Sequence, residues 1–262
     1  MFLSMICKDA LAVRATHLLV AFDGANVFRY SKDPNYKATR NHNNNDCERF
    51  KNSLGISVSE IYNYLPDIIS LLTELGISYC QPDTFEADDV GCSAASLWKN
   101  VIIGTKDKDS YQFLREDVSL YDSSYKKDGK PYPRYITKEI AEKSKNIPVD
   151  RMVLYQTLIG DKIDNIPSVL SPAKARNLIN KYHTYKNIIK NCDDSTRIHL
   201  KANTARMMLN KELVTLRKDV PLPDLNTLKV GRKNLDNCLK KYLPKSYFDY
   251  VDFVCPRTNR LF

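Results

Sequence analysis

Carboxylates close or follow the main apolar segments in the first two-thirds of this chain, which restricts both its fold and its chemistry. The run HLLVAFD (17–23) ends in Asp23, and VIIGT (101–105) leads into Asp107 and Asp109. Continuous apolar runs of this length read as strands buried on two faces, as in a parallel sheet. Open α/β sheets place their sites at the carboxyl ends of such strands. GISYC (76–80) reads as a third strand, followed by a helix from about Glu86 to Lys99. Glu86, Asp88 and Asp89 fall in its opening segment FEADDV (85–90), and the three-residue spacing puts Glu86 and Asp89 on one face. Asp161 and Asp164 repeat that spacing after the apolar helical pattern VDRMVLYQTLIG (149–160).

Carboxylates that meet in space repel one another unless a cation neutralises them. Hard oxygen ligands suit Mg²⁺ or Mn²⁺, and a pair of such ions suits phosphodiester hydrolysis. Each cluster alone has a plainer reading. Asp83-Thr84-Phe85-Glu86 resembles a capping box, first-turn acids complement a helix dipole, and Asp107-Lys108-Asp109 fits a solvated turn. An EF-hand loop from Asp107 is excluded, because Gln112 stands where glycine is needed and Val118 where the bidentate glutamate belongs. The joint placement of the clusters is what these plainer readings leave unexplained.

Further elements keep the same order and spacing: Phe22-Asp23, Phe28-Arg29, Tyr36-Lys37 and Arg40, then EADDV (86–90), GTKDKDSYQF (104–113), GDKIDNIP (160–167) and NKELVTLRKDVPLP (210–223). From about Thr16 to Leu225 the chain resembles the 5′-nucleases. These comprise the 5′–3′ exonuclease domain of bacterial DNA polymerase I, the phage 5′-exonucleases and, more distantly, the flap endonucleases. The resemblance implies an α/β fold with a mostly parallel central sheet flanked by helices, a PIN-like nuclease core over residues 1–150. An arch is expected at about 40–58, where NHNNNDCERFKN (41–52) is polar, and a helical DNA-binding subdomain over 151–262. It implies metal-dependent 5′–3′ exonuclease or flap endonuclease activity in DNA replication or repair, on DNA with a free 5′ end. Asp23, Glu86, Asp88, Asp89, Asp107, Asp109, Asp161 and Asp164 are the implied ligands of Mg²⁺ or Mn²⁺, as two ions. Lys37 and Arg40 would stabilise charge on the scissile phosphate. Arg29 would hold a phosphate, Tyr36 would stack on an unpaired terminal base, and Lys174 and Arg176 would contact DNA.

Two departures from the family pattern stand out. The family opens with a strand carrying a ligand aspartate, whereas FLSMICKDALAVRA (2–15) reads as the helix that follows it, so this strand is expected to be missing. The family's glycine-rich hairpin is replaced by SVLSPAKAR (168–176), a degenerate helix–hairpin–helix without glycine. Close backbone approach to a phosphate, or to K⁺, is disfavoured there. Two other readings stay open: a catalytically weakened DNA-structure-binding homologue and a PIN-like ribonuclease. A small-molecule Mg²⁺ phosphatase is disfavoured by the basic C-terminal half.

Charge is divided along the chain. From Ser171 onward there are 19 Lys+Arg against 8 Asp+Glu, while the first 170 residues have 21 against 23. An acidic half beside a basic one fits a protein that holds metal in one place and tracks a phosphate backbone with another. The seven cysteines form no CxxC pair and read as reduced core residues. With no apolar run near the length of a membrane span and no basic-apolar leader pattern, the expectation is a monomeric cytoplasmic protein, in the host cytoplasm if phage-encoded. YDSSYKKDGKPYPRY (121–135) reads as a hairpin turning at Asp128-Gly129.

Overall fold

A computed structural model describes residues 5–6, 9–10, 12–38, 63–128 and 130–225. The expected arch at 40–58, Arg40 and everything beyond residue 225 lie outside them. In chain order the elements are β1 (Leu19–Ala21), α1 (Phe28–Lys32), α2 (Leu65–Glu74), β2 (Ser78–Cys80), α3 (Ala87–Leu97), β3 (Val101–Gly104) and a 3₁₀ turn (Asp109–Phe113). There follow β4 (Val118–Asp122), β5 (Lys126–Lys127), β6 (Lys130–Pro131), β7 (Arg134–Ile136), α4 (Lys138–Lys145) and a second 3₁₀ turn (Val149–Arg151). The rest is helical: α5 (Met152–Ile159), α6 (Pro172–Tyr182), α7 (Tyr185–Asn191), α8 (Asp194–Ala202) and α9 (Thr204–Val214).

The chain divides into two compact units. One holds residues 1–22, 45–81 and 222–262. Its described part pairs β1 with β2 in parallel, Val20 opposite Tyr79. The connection into β2 depends on Gly76 at φ +68. There the Gly76 amide donates to the Thr73 carbonyl and the Ile77 amide to that of Leu72, closing the helix with a Schellman motif. Leu72 and Ile77 are buried on either side of it. Before β1, residues 5–6, 9–10 and 12 are helical, as the pattern 2–15 predicts.

The other unit holds residues 23–44 and 82–221. Its sheet runs β3-β4-β7, parallel between β3 and β4 and antiparallel between β4 and β7. β4 supplies Val118 and Leu120 to a core that continues through Ile136, Ala141, Met152 and Leu158 to Ala175, Ile179, Ile188 and Leu200 of the helices. β3 is only partly covered, with Val101 and Ile103 half-buried. Ile102 is 37 % exposed, so the two-face burial expected for 101–103 is not met. The chain is α/β, with parallel pairing between β1 and β2 and between β3 and β4, followed by a helical C-terminal half. β5 and β6 form a separate antiparallel ribbon with Lys127 opposite Lys130, while Gly129 of the expected turn lies outside the described residues.

Gly160 stops α5 at φ +63, and a Cβ there would lie 2.3 Å from the Ile166 carbonyl oxygen. Only glycine allows that approach. It folds GDKIDNIP into a closed loop in which the Asp161 amide donates to the Ile166 carbonyl and the Ile166 amide to that of Asp161. Pro148 precedes the second 3₁₀ turn and Pro172 opens α6, while Pro167 sits in the loop.

Candidate active site

One pocket of the larger unit gathers Asp23, Glu86, Asp88, Asp107, Asp109 and Asp164 with Arg29, Tyr36 and Lys37, bordered by the segment of Leu213, Val214 and Leu216. Each acid arrives by a local rule. Asp23 follows the β1 run, and its Oδ1 accepts the Ala87 amide at 2.8 Å, joining it to the open amino end of α3. Glu86 and Asp89 form the capping box of that helix, with the Glu86 amide donating to Asp89 Oδ2 at 3.0 Å. The box therefore lies three residues beyond the expected Asp83–Glu86 pair. Asp107 follows β3, and its Oδ1 accepts the Asp109 amide. Asp109 starts the 3₁₀ turn and accepts a hydrogen bond from Gln156 Nε2 of α5. Asp164 comes from the glycine-stopped loop, whose backbone also accepts the Lys37 amide at the Asp164 carbonyl.

The acids differ in how they are neutralised. Arg29 is 1 % exposed and spends every donor inside the protein. Nη1 and Nη2 clamp Asp89 at 2.6 and 2.8 Å, Nη1 also donates to Glu86 Oε2, and Nε and Nη2 donate to the carbonyls of Leu213 and Thr215. Burial by itself would lower the Arg29 pKa, but the bonds to Asp89 outweigh it and hold the guanidinium charged. Asp89 is fully buried and also accepts the Arg217 amide at 2.8 Å. With four hydrogen bonds on its two oxygens, it is occupied as a structural anion and does not line the pocket. Two expected roles are not met by these side chains as placed: Arg29 has no donor left over for a phosphate, and Tyr36, 4 % exposed, has its ring covered. The Tyr36 hydroxyl instead donates to Glu86 Oε2 and Asp164 Oδ2, and burial beside those acids raises its pKa.

On the other side of the pocket Asp88 and Asp109 are crowded. Burial, followed by repulsion from Asp107 and Glu86, pushes Asp88 up to about 7. Burial, then Asp107, Asp161 and Asp164, pushes Asp109 up to about 7 as well. Lys37 Nζ pairs with Glu86 Oε1 and lies 5.0 Å from the centre of the Tyr36 ring. Asp161 stands outside the pocket lining, its Oδ1 accepting the Ile163 amide at 2.7 Å. Lys174 is exposed on the first turn of α6, while Arg176 Nε donates to the Lys145 carbonyl and ties α6 to the end of α4.

Three further residues at the site are unexpected: Gln156 lies outside the motif elements, while Gln112 and Asn210 lie within GTKDKDSYQF and NKELVTLRKDVPLP. Gln156 and Gln112 brace the 3₁₀ turn, and Gln112 also donates to the Val214 carbonyl and accepts the Leu216 amide. Asn210 is fully buried and donates to the carbonyls of Thr157 and Pro167. A lone Gln or Asn inside an apolar helix is the one signal that could have found them, since buried amides are kept where they satisfy other groups.

Two family models match the chain. The 5′–3′ exonuclease N-terminal resolvase-like domain covers residues 1–145, and the 5′–3′ exonuclease C-terminal SAM fold covers residues 147–236. The chain belongs to the 5′–3′ exonuclease family. Among its relatives, DNA polymerase I of Caldicellulosiruptor bescii is 26% identical over 247 residues, covering 89% of this chain and 27% of the polymerase. The 5′–3′ exonuclease of Aquifex aeolicus is 29% identical over 189 residues, covering 66% of this chain and 63% of that protein. This family member thus spans about a quarter of the polymerase. In fold it is similar to the T5 D15 protein co-crystallised with metal ions, at a TM-score of 0.67 and 21% identity, covering 92% of this chain and 90% of that one. Among the described residues no helix is long and apolar enough to cross a membrane.

Proposed function

We propose that the protein is a divalent-metal-dependent 5′–3′ exonuclease and flap endonuclease that hydrolyses DNA phosphodiesters near a free 5′ end. The observation that carries this reading is the pocket of six carboxylates, two of them pushed up to about 7 by burial and by neighbouring acids. Their chemistry fits hard divalent cations such as Mg²⁺. Among the described residues no three acidic, histidine or cysteine side chains converge closely enough to share one ion as placed. That suits Mg²⁺, which keeps several waters and takes one or two carboxylates. Asp23, Asp88, Asp107, Asp109 and Asp164 would hold such ions, with Glu86 on the margin where Lys37 engages it, and Asp161 would support Asp164 from the loop.

A divalent ion bound there supplies Lewis acidity and a nucleophile available at neutral pH. The chain's own residues do the rest. Lys37, drawn from Glu86 to a nearby phosphate, would offset developing negative charge, a role the family resemblance also gives Arg40. Beyond about residue 150 the helical part would hold the duplex, with Lys174 as an exposed phosphate contact. Arg176 would take part only if it left the Lys145 carbonyl.

The test is cleavage of a 5′-labelled flap and a nicked duplex with Mg²⁺ or Mn²⁺ and with chelator. We expect 5′-terminal products only when metal is present. Equal activity in chelator, or a preference for 3′ ends, overturns the reading.

A further inference from the structure

The β5–β6 hairpin and the strand after it carry an arrangement that the acidic pocket does not use. A two-stranded ribbon of this size is marginal alone in water, yet here its side chains stack in alternation. Arg134 Cζ lies 3.9 Å from the centre of the Tyr125 ring. The Tyr125 and Tyr132 rings meet edge to face at 6.4 Å, and Lys127 Nζ lies 5.5 Å from the Tyr132 centre. The Tyr132 amide donates to the Tyr125 carbonyl at 2.8 Å, fixing the two rings side by side. The result is a short ladder of cation, ring, ring and cation.

The ladder is open to solvent. Tyr132 is 55% exposed and Tyr135 42%, and Lys126 and Lys127 are exposed as well. Arg134 has an acid partner, the Asp122 carboxylate at 3.6 Å. Among the described residues Lys126 and Lys127 have none. A single-stranded nucleic acid presents the complement: π faces for the rings and regularly spaced phosphates for the cations. An acidic protein surface would use the lysines and leave the rings idle.

We propose that this hairpin is a binding site for single-stranded nucleic acid, distinct from the acidic pocket, with Tyr132 stacking on a base and Lys126 and Lys127 on flanking phosphates. That the strand is DNA, the unpaired segment of a 5′-ended substrate, rests on the function proposed above.

The full chain in EDTA, where metal-dependent cleavage cannot intervene, is titrated into a labelled oligothymidylate and followed by fluorescence anisotropy. Tyr132→Ala should bind about tenfold more weakly, while Tyr132→Phe, which keeps the ring, should bind like the parent. Lys126→Ala with Lys127→Ala should lower the slope of log K against log salt by about 1.4, roughly 0.7 for each phosphate that no longer meets a lysine. If Tyr132→Ala and the double lysine variant both match the parent in affinity and salt slope, the proposal is overturned. A parent chain that binds through the hairpin but cuts no 5′-ended DNA overturns the nuclease reading and supports this one.

Discussion

Two halves of one acidic pocket are built on opposite electrostatic plans. Behind it, Arg29 satisfies Asp89 completely and Glu86 in part, and the arrangement is closed by carbonyls of Leu213 and Thr215. In front, Asp88 and Asp109 face other carboxylates, and their pKa values rise to about 7. The contrast falls within a single motif: in EADD, Asp88 belongs to the crowded side and Asp89, the next residue, to the neutralised side. Helix geometry separates them, since neighbours one position apart point about 100° apart on a helix. We propose that Asp88 and Asp109, raised by burial and by neighbouring acids, are among those a metal would engage. The neutralised pair is scaffolding that holds Glu86 and the amino end of α3 in place.

The largest effect that can break this comparison lies on the crowded side. Changing Asp107 and Asp109 together to Asn keeps their size and the Asp107 acceptor for the residue 109 amide, while removing two negative charges. Turnover should fall by orders of magnitude with DNA binding kept or tightened, because repulsion of phosphate is relieved. Single-turnover cleavage beside a binding titration measures this. Cleavage at the parental rate would return these residues to an ordinary turn.

On the neutralised side the expected loss is first in stability. Arg29→Met leaves Asp89 buried without its cation, and breaking a buried pair from one side costs about 3–5 kcal/mol. At roughly 2–4 °C per kcal/mol for a domain of this size, melting should drop by about 6–20 °C. Any surviving activity should show a lowered kcat with KM for DNA little changed. A raised KM with unchanged melting would mean that Arg29 reaches phosphate after all.

Much of this site is legible in the order of residues alone. The apolar runs ending in acids, the EADD helix start, the pairing of β5 with β6 and the closed GDKIDNIP loop follow from local rules acting over a few residues. Which side chains are buried is not legible there, because burial depends on distant chain. Arg29 and Tyr36 look like surface groups in sequence. They are enclosed by the segment 213–217, and Asp89 accepts from Arg217, 128 residues away. Gln156 gives the same lesson from the other direction: a stray amide in an apolar helix becomes the partner of Asp109 once α5 meets the 3₁₀ turn.

The smallest effect tests the crowding itself. Asp88 and Asp109 have an ordinary value of 3.8 and rise to about 7, so between those limits the folded protein binds more protons than the unfolded chain. Stability of the metal-free protein therefore falls as pH rises through that window, and the loss is complete above about 7. Asp117, Asp193 and Asp219 shift the other way, below the ordinary carboxylate range, and titrate outside the window. Melting in EDTA should thus be higher at pH 6 than at pH 8. Mg²⁺ should reverse the order, since it needs the carboxylates deprotonated and competes with protons less at the higher pH. Asp88→Asn should flatten the EDTA dependence and shrink the Mg²⁺ gain together, because both come from the same charge. If the variant keeps the parental pH dependence in EDTA, Asp88 is not among the crowded acids and the division of the pocket into two sides fails at its front.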